Sequence, residues 1–202
     1  RVESVRASHN IDALLGRALA TNRSLVCLNV VDNGLGPEFA KAVAKSVATR
    51  FCALRYLNLS RNNVGDEGAE ALFLALSDKE TNLTYLNLRN NGIDAAGYQQ
   101  LPMALEPGNR IRYLGLAENS PFDVSLAEDI VSSLRHNPKL RLLDFGDIKF
   151  NRKTLTVLVE AAQSLRTGIN FSSRRSGSSP AANMGNLLFQ QWTGTKVTFP
   201  RF

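Results

Sequence analysis

The chain of 202 residues contains two cysteines, two histidines, two methionines and one tryptophan, and each scarcity excludes a class of protein. Cys27 and Cys52 cannot build a disulfide framework in a chain this long, and they fit a reducing compartment. Two Cys and two His do not make a zinc pattern. Neither His9 nor His136 stands near a Ser, Cys or carboxylate at a spacing that suggests a nucleophile or a metal site. No catalytic residue, metal or cofactor is therefore expected. Gly34-Leu35-Gly36 lacks the third glycine and the lysine of a phosphate loop. Long apolar runs are missing as well: nothing approaches the roughly 18 residues that cross a bilayer. Arg1-Val2-Glu3-Ser4 is not the opening of a signal peptide. A cytoplasmic protein without a membrane segment is the expectation, and the start at Arg1 rather than Met fits a fragment or a processed product.

What the chain does have is a period. With 44% apolar and 21% charged residues it can bury a sizeable core, and the apolar residues recur in one motif. Leu25-Val26-Cys27-Leu28-Asn29-Val30-Val31-Asp32-Asn33 is followed by equivalent segments starting at Leu54, Leu83, Ile111 and Leu140. The spacings are 29, 29, 28 and 29 residues, which marks a stacked repeat architecture. Each copy reads L-x-x-L-x-L-x-x-N, and its alternation predicts a short strand with one buried face. The closing Asn33, Asn62, Asn91 and Asn119 carry amides that can satisfy turn backbone groups. The fifth copy has Ile148 instead, so the stretch from Ile148 to Asn151 is expected to be irregular.

Between strands, the pairs Val43 and Val47, Leu72 and Leu76, Leu101 and Leu105, and Ile130 and Leu134 lie four apart, which predicts a helix in every repeat. Pro102 should shorten or kink its helix. Phe39 and Ser125 stand where the other helices have Gly68 and Gly97. Asp12 to Ser24, with Leu15 and Leu19, reads as the helix of a preceding repeat, and Ile169-Asn170-Phe171 as the strand of a sixth.

These motifs resemble the leucine-rich repeat family, specifically its ribonuclease-inhibitor type of 28 to 29 residues, from residue 10 to about 171. The resemblance implies an α/β horseshoe solenoid of about six repeats, with a concave parallel sheet and convex helices. Residues 1–171 form the solenoid in this reading, and residues 172–202 a basic, Ser- and Gly-rich linker with an aromatic extension. Proteins with such repeats include ribonuclease inhibitors, tropomodulin-like actin-capping domains, NOD-like receptor sensors, axonemal proteins and Ran GTPase-activating proteins. The resemblance thus implies a non-enzymatic scaffold that binds a protein partner, as part of a cytosolic, cytoskeletal or axonemal assembly. A GTPase-activating role is the alternative, although no residue here matches a catalytic one of that family. RNA binding through Arg55, Arg112, Arg141 and the basic tail is a third reading.

Reading columns down the repeats maps the concave face, because equivalent residues of adjacent strands lie about 4.8 Å apart. Before the middle Leu stand Cys27, Tyr56, Tyr85, Tyr113 and Leu142; after it come Asn29, Asn58, Asn87, Gly115 and Asp144. One flank carries Val26, Arg55, Thr84, Arg112 and Arg141, and the other Val31, Ser60, Arg89, Ala117 and Gly146. Exposed aromatics and arginines supply most interface hot spots. Tyr56, Tyr85, Tyr113, Asn58, Asn87, Arg55, Arg89, Arg112 and Arg141 are accordingly the candidate partner-binding residues. Mere stacking of the rings is the simpler alternative, just as Asp32, Glu118 and Asp147 read as ordinary exposed charge. In the tail, Phe189, Trp192, Phe199 and Phe202 either cover the last repeat or dock on a partner. Residues 172–202 hold four of the six net positive charges, so an acidic partner is first expected at that end.

Overall fold

The computed structural model describes Leu14, Ala18, Leu19 and residues 21–172. Six strands of three residues run β1 (Cys27–Asn29), β2 (Tyr56–Asn58), β3 (Tyr85–Asn87), β4 (Tyr113–Gly115), β5 (Leu142–Asp144) and β6 (Gly168–Asn170). They form one parallel sheet in sequence order. Register follows the repeat: Cys27 pairs with Tyr56, Tyr56 with Tyr85, Tyr85 with Tyr113, Tyr113 with Leu142 and Leu142 with Gly168. The sixth strand is the one expected around Ile169. Of the expected preceding helix, Leu14, Ala18, Leu19 and Thr21 are helical, and Leu15 lies outside the described residues.

Between the strands lie α1 (Pro37–Val47), α2 (Gly65–Ser77), a 3-10 turn at Ala95–Tyr98 followed by α3 (Leu101–Ala104), α4 (Val124–His136) and α5 (Arg152–Ser164). The expected apolar pairs Val43/Val47, Leu72/Leu76, Leu101/Leu105 and Ile130/Leu134 are all buried. They meet the middle leucines Leu57, Leu86, Leu114 and Leu143 in one continuous core. The third repeat departs from a regular helix where Pro102 stands. Pro102 occupies the first turn of a four-residue helix, a place where its missing N–H leaves no intrahelical bond unmade.

Neighbouring helices approach closely because two positions have no side chain. A Cβ on Gly68 would fall 2.9 Å from the Ala40 Cβ, and one on Gly97 would fall 2.9 Å from the Asp66 Cα. Both are tighter than a packed core accepts. Phe39, at the equivalent place in α1, is buried.

The asparagines act as the sequence suggests. Asn62 Oδ1 accepts from the Asn33 and Leu35 N–H groups at 3.1 and 3.0 Å, while its Nδ2 donates to the Val30 and Leu59 carbonyls at 2.9 and 2.8 Å. Asn119 does the same further along the ladder, accepting from Asn91 and Ile93 and donating to Leu88 and Leu116. The backbone of these turns was not legible from the motif. Asp32, Arg61, Asn90, Glu118 and Asp147 all have φ between 51° and 64°, a left-handed conformation that costs most L-residues about 1–2 kcal/mol.

The fifth turn is less irregular than expected, since Asp147 keeps that conformation at φ 64°. What ends there is the asparagine ladder. In its place Phe122, Phe145 and Phe150 meet edge to face at centroid distances of 4.8–5.6 Å, and Phe145 stacks on Phe171. Asn151 instead caps α5, its Oδ1 accepting from the Thr154 N–H at 2.9 Å.

Candidate functional site

Strand alternation buries the middle residues Leu57, Leu86, Leu114 and Leu143, with Leu28 of the first strand half-buried, and places the residues on either side on the concave face, so the sheet presents the columns read from the sequence. Tyr56 and Tyr85 stack with centroids 4.1 Å apart and planes 12° from parallel. Tyr85 and Tyr113 follow at 4.3 Å and 7°. Each ring covers the faces of the next, so all three are half-buried and show mainly their edges. The simpler reading, that the rings stack on one another, is thus part of the structure, and it leaves their edges available on the face. Burial holds the Tyr85 and Tyr113 hydroxyls above the ordinary phenol range, with the Asp144 carboxylate adding to the effect at Tyr113. The Tyr113 hydroxyl donates to Asp144 Oδ2 at 3.3 Å. Cys27 stands at the exposed end of the column.

The next column has local duties. Asn58, Asn87, Asp144 and Asn170 each accept through Oδ1 from the backbone N–H two residues on, at 3.0–3.1 Å. These Asx turns fix where the chain leaves each strand. Asn58 and Asn87 therefore shape the face, with one side-chain acceptor already engaged in doing so.

Arg89, a contact candidate from the sequence, is already engaged within the molecule. Its guanidinium donates to Glu118, and to Asp147 Oδ2 at 3.3 Å, with only 16% of the side chain exposed. The two acids, one and two repeats away, are drawn together by a single arginine. Their spacing of 29 and 58 residues from Arg89 was the available signal. A broad polar groove bounded by Ser60, Arg61, Arg89, Glu118, Asp144 and Lys149 follows this edge.

On the opposite flank, Arg55, Arg112 and Arg141 are exposed and Thr84 half-buried. Their backbones are fixed by the sheet: Arg112 and Arg141 donate their N–H groups to the Thr84 and Arg112 carbonyls at 2.8 Å. The proposed tail contacts Phe189, Trp192, Phe199 and Phe202 lie outside the described residues. Among the described residues, no group of three His, Cys, Asp or Glu could hold a metal ion, and no helix is long and apolar enough to cross a membrane. Together the columns and their flanks form an extended surface across the six described strands.

A family model described as a leucine-rich repeat matches residues 21–44, 52–73 and 79–100. No curated protein matches the chain in sequence. Among solved structures, the chain is similar to the actin-binding site 2 of leiomodin-1, with 20% identity over 78% of this chain and 92% of that one, at a TM-score of 0.53. It is also similar to a tropomodulin C-terminal domain from Caenorhabditis elegans, with 13% identity over 75% of this chain and 91% of that one, at a TM-score of 0.56. At these identities the likeness is one of fold.

Proposed function

We propose, from the premise that this chain is a leucine-rich repeat protein, that it is a non-enzymatic scaffold whose concave face holds a protein partner within a cytoskeletal assembly. The observation that carries the reading is the stacked column Tyr56-Tyr85-Tyr113, flanked by exposed arginines. Stacking removes most of the conformational freedom of the rings before any partner arrives, so less entropy is lost on binding. Tyr and Arg together are the side chains that most often dominate interface energies. The cytoskeletal clause is supported by the fold shared with the actin-binding site 2 of leiomodin-1; actin binding is a property of that protein, and its extension to this chain is part of the proposal.

The scaffold clause is tested by affinity purification from the native source with the wild-type chain and a Tyr56→Ala/Tyr85→Ala variant. Loss of a specific partner from the folded variant is expected, and an unchanged partner set would sink the concave-face reading. Sedimentation with filamentous actin and titration with monomeric actin test the cytoskeletal clause separately. Saturable binding weakened at least tenfold in the double variant supports it, and absence of binding to both forms removes it. Acceleration of GTP hydrolysis by a small GTPase on addition of the chain would overturn the non-enzymatic clause.

A further inference from the structure

Residues 21–172 are almost electrically balanced, yet their charges are sorted by edge. The connections that lead into the six strands, residues 22–26, 50–55, 78–84, 106–112, 136–141 and 164–167, hold nine Lys or Arg against three Asp or Glu. Everything else between 21 and 172 holds eight Lys or Arg against thirteen Asp or Glu. One long edge of the solenoid is therefore basic and the remainder acidic. A separation of this kind survives in a molecule whose net charge is small, and it sets the field that an approaching partner meets.

The two edges of the concave face treat their charges differently. Beyond the C-terminal ends of the strands, Arg89 is occupied by Glu118 and Asp147. Before the N-terminal ends, Arg55, Arg112 and Arg141 are exposed and make no ion pair among the described residues. They stand directly before Tyr56, Tyr113 and Leu142, on strands two, four and five of the sheet. At about 4.8 Å per strand, they span roughly 14 Å. Farther along the same edge the Phe51 ring lies exposed beneath the guanidinium groups of Arg23 and Arg50, at 4.8 and 4.9 Å from its centroid.

We propose that the Arg55, Arg112 and Arg141 edge seats an acidic polypeptide segment of the partner, laid across the strands with its carboxylates on the arginines and its body on the Tyr56-Tyr85-Tyr113 column. This rests on the scaffold reading and adds the chemistry of the partner. Guanidinium groups match carboxylates with paired hydrogen bonds. An extended segment rises about 3.3 Å per residue, so four or five residues cover the three arginines. The ring edges beside them accommodate backbone and apolar side chains alike, which suits a polypeptide whose acids are interrupted by other residues.

The test uses the full chain and a fluorescent octaglutamate peptide, with an octaglutamine peptide and a single-stranded RNA octamer as comparisons. The wild-type chain is expected to bind octaglutamate, with affinity falling as salt screens the edge, and to bind octaglutamine at least tenfold more weakly. An Arg55→Gln/Arg112→Gln/Arg141→Gln variant, folded by circular dichroism, should lose at least tenfold in affinity. An Arg135→Gln/Arg152→Gln/Lys153→Gln variant removes the same charge from the helices and should bind within twofold of wild type. Equal losses in the two triple variants, or none in either, would overturn the proposal. RNA bound more tightly than octaglutamate and released by the first variant would overturn it in favour of a nucleic-acid ligand. If octaglutamate ignores the arginine edge while Tyr56→Ala/Tyr85→Ala still abolishes partner capture, the acidic segment fails and the scaffold reading stands.

Discussion

Asn62 bonds five backbone groups in two turns with one side chain, and it does so while buried. Alanine there leaves N–H and C=O groups without partners, each costing about 1–3 kcal/mol. Urea denaturation of Asn62→Ala is expected to show a loss of at least about 2 kcal/mol, and Asn62→Asp, which sets a buried carboxylate against the Val30 and Leu59 carbonyls, is not expected to rescue it. A loss below about 0.5 kcal/mol for the alanine variant would mean that water replaces the amide. The tyrosines give a second residue-scale expectation. Tyr85 and Tyr113 are held above the ordinary phenol range chiefly by burial, so the unfolded chain deprotonates first. The stability that this contributes is fully present below about pH 10 and is lost as pH climbs through the higher folded values. The urea midpoint should therefore fall above about pH 10, and Tyr113→Phe should shrink that fall; an equal fall in both would assign it to other groups.

Helices set the element scale, where the repeat period works through contact distance. Gly68 and Gly97 let successive helices approach until a Cβ would strike the neighbour. At Gly97 one of the atoms in the way belongs to the backbone of Asp66, 2.9 Å from the missing Cβ, and cannot rotate aside. Gly97→Ala is expected to destabilise by about 1–3 kcal/mol, although alanine is the better helix former. Thermal or urea unfolding that shows no loss would indicate that the 3-10 turn at Ala95–Tyr98 shifts freely. The same turn shows how an element changes type within one repeat. Pro102 is accommodated at the first turn of a short helix, and Tyr98 fills space in the core against Phe122 at 5.2 Å.

Among the described residues, each strand of the molecule pairs in the sheet with its sequence neighbours alone, which makes position along the solenoid an energetic variable. Leu86 lies between β2 and β4 and is fully buried, whereas Ile169 on β6 is 6% exposed. Leu86→Ala is expected to cost about 2–5 kcal/mol and Ile169→Ala distinctly less, measured by urea denaturation monitored at both ends of the chain. Equal costs would mean that the last repeat is covered as completely as the middle. Charge is likewise a property of the whole molecule. A near-neutral body reads as featureless until the repeat sorts nine of its cations onto one edge.

Spacing and residue type determined the repeat length, the six strands, the Tyr column and the role of the closing asparagines, because a solenoid converts sequence period directly into spatial neighbourhood. Asn62 lies 29 residues from Asn33 and bonds its N–H. Tyr56 lies 29 from Tyr85 and stacks on it. Side-chain reach and backbone conformation were decided only by the tertiary structure. Arg89 is long enough to cross two repeats, so it pairs with Glu118 and Asp147 along the edge of the groove. Of the five left-handed turn residues, Asp32, Asn90 and Asp147 are of types that tolerate the conformation, whereas nothing in the side chains of Arg61 and Glu118 announces it. Stacked strands impose that bend, because each must leave the sheet at the same place to keep its neighbour's backbone bonded.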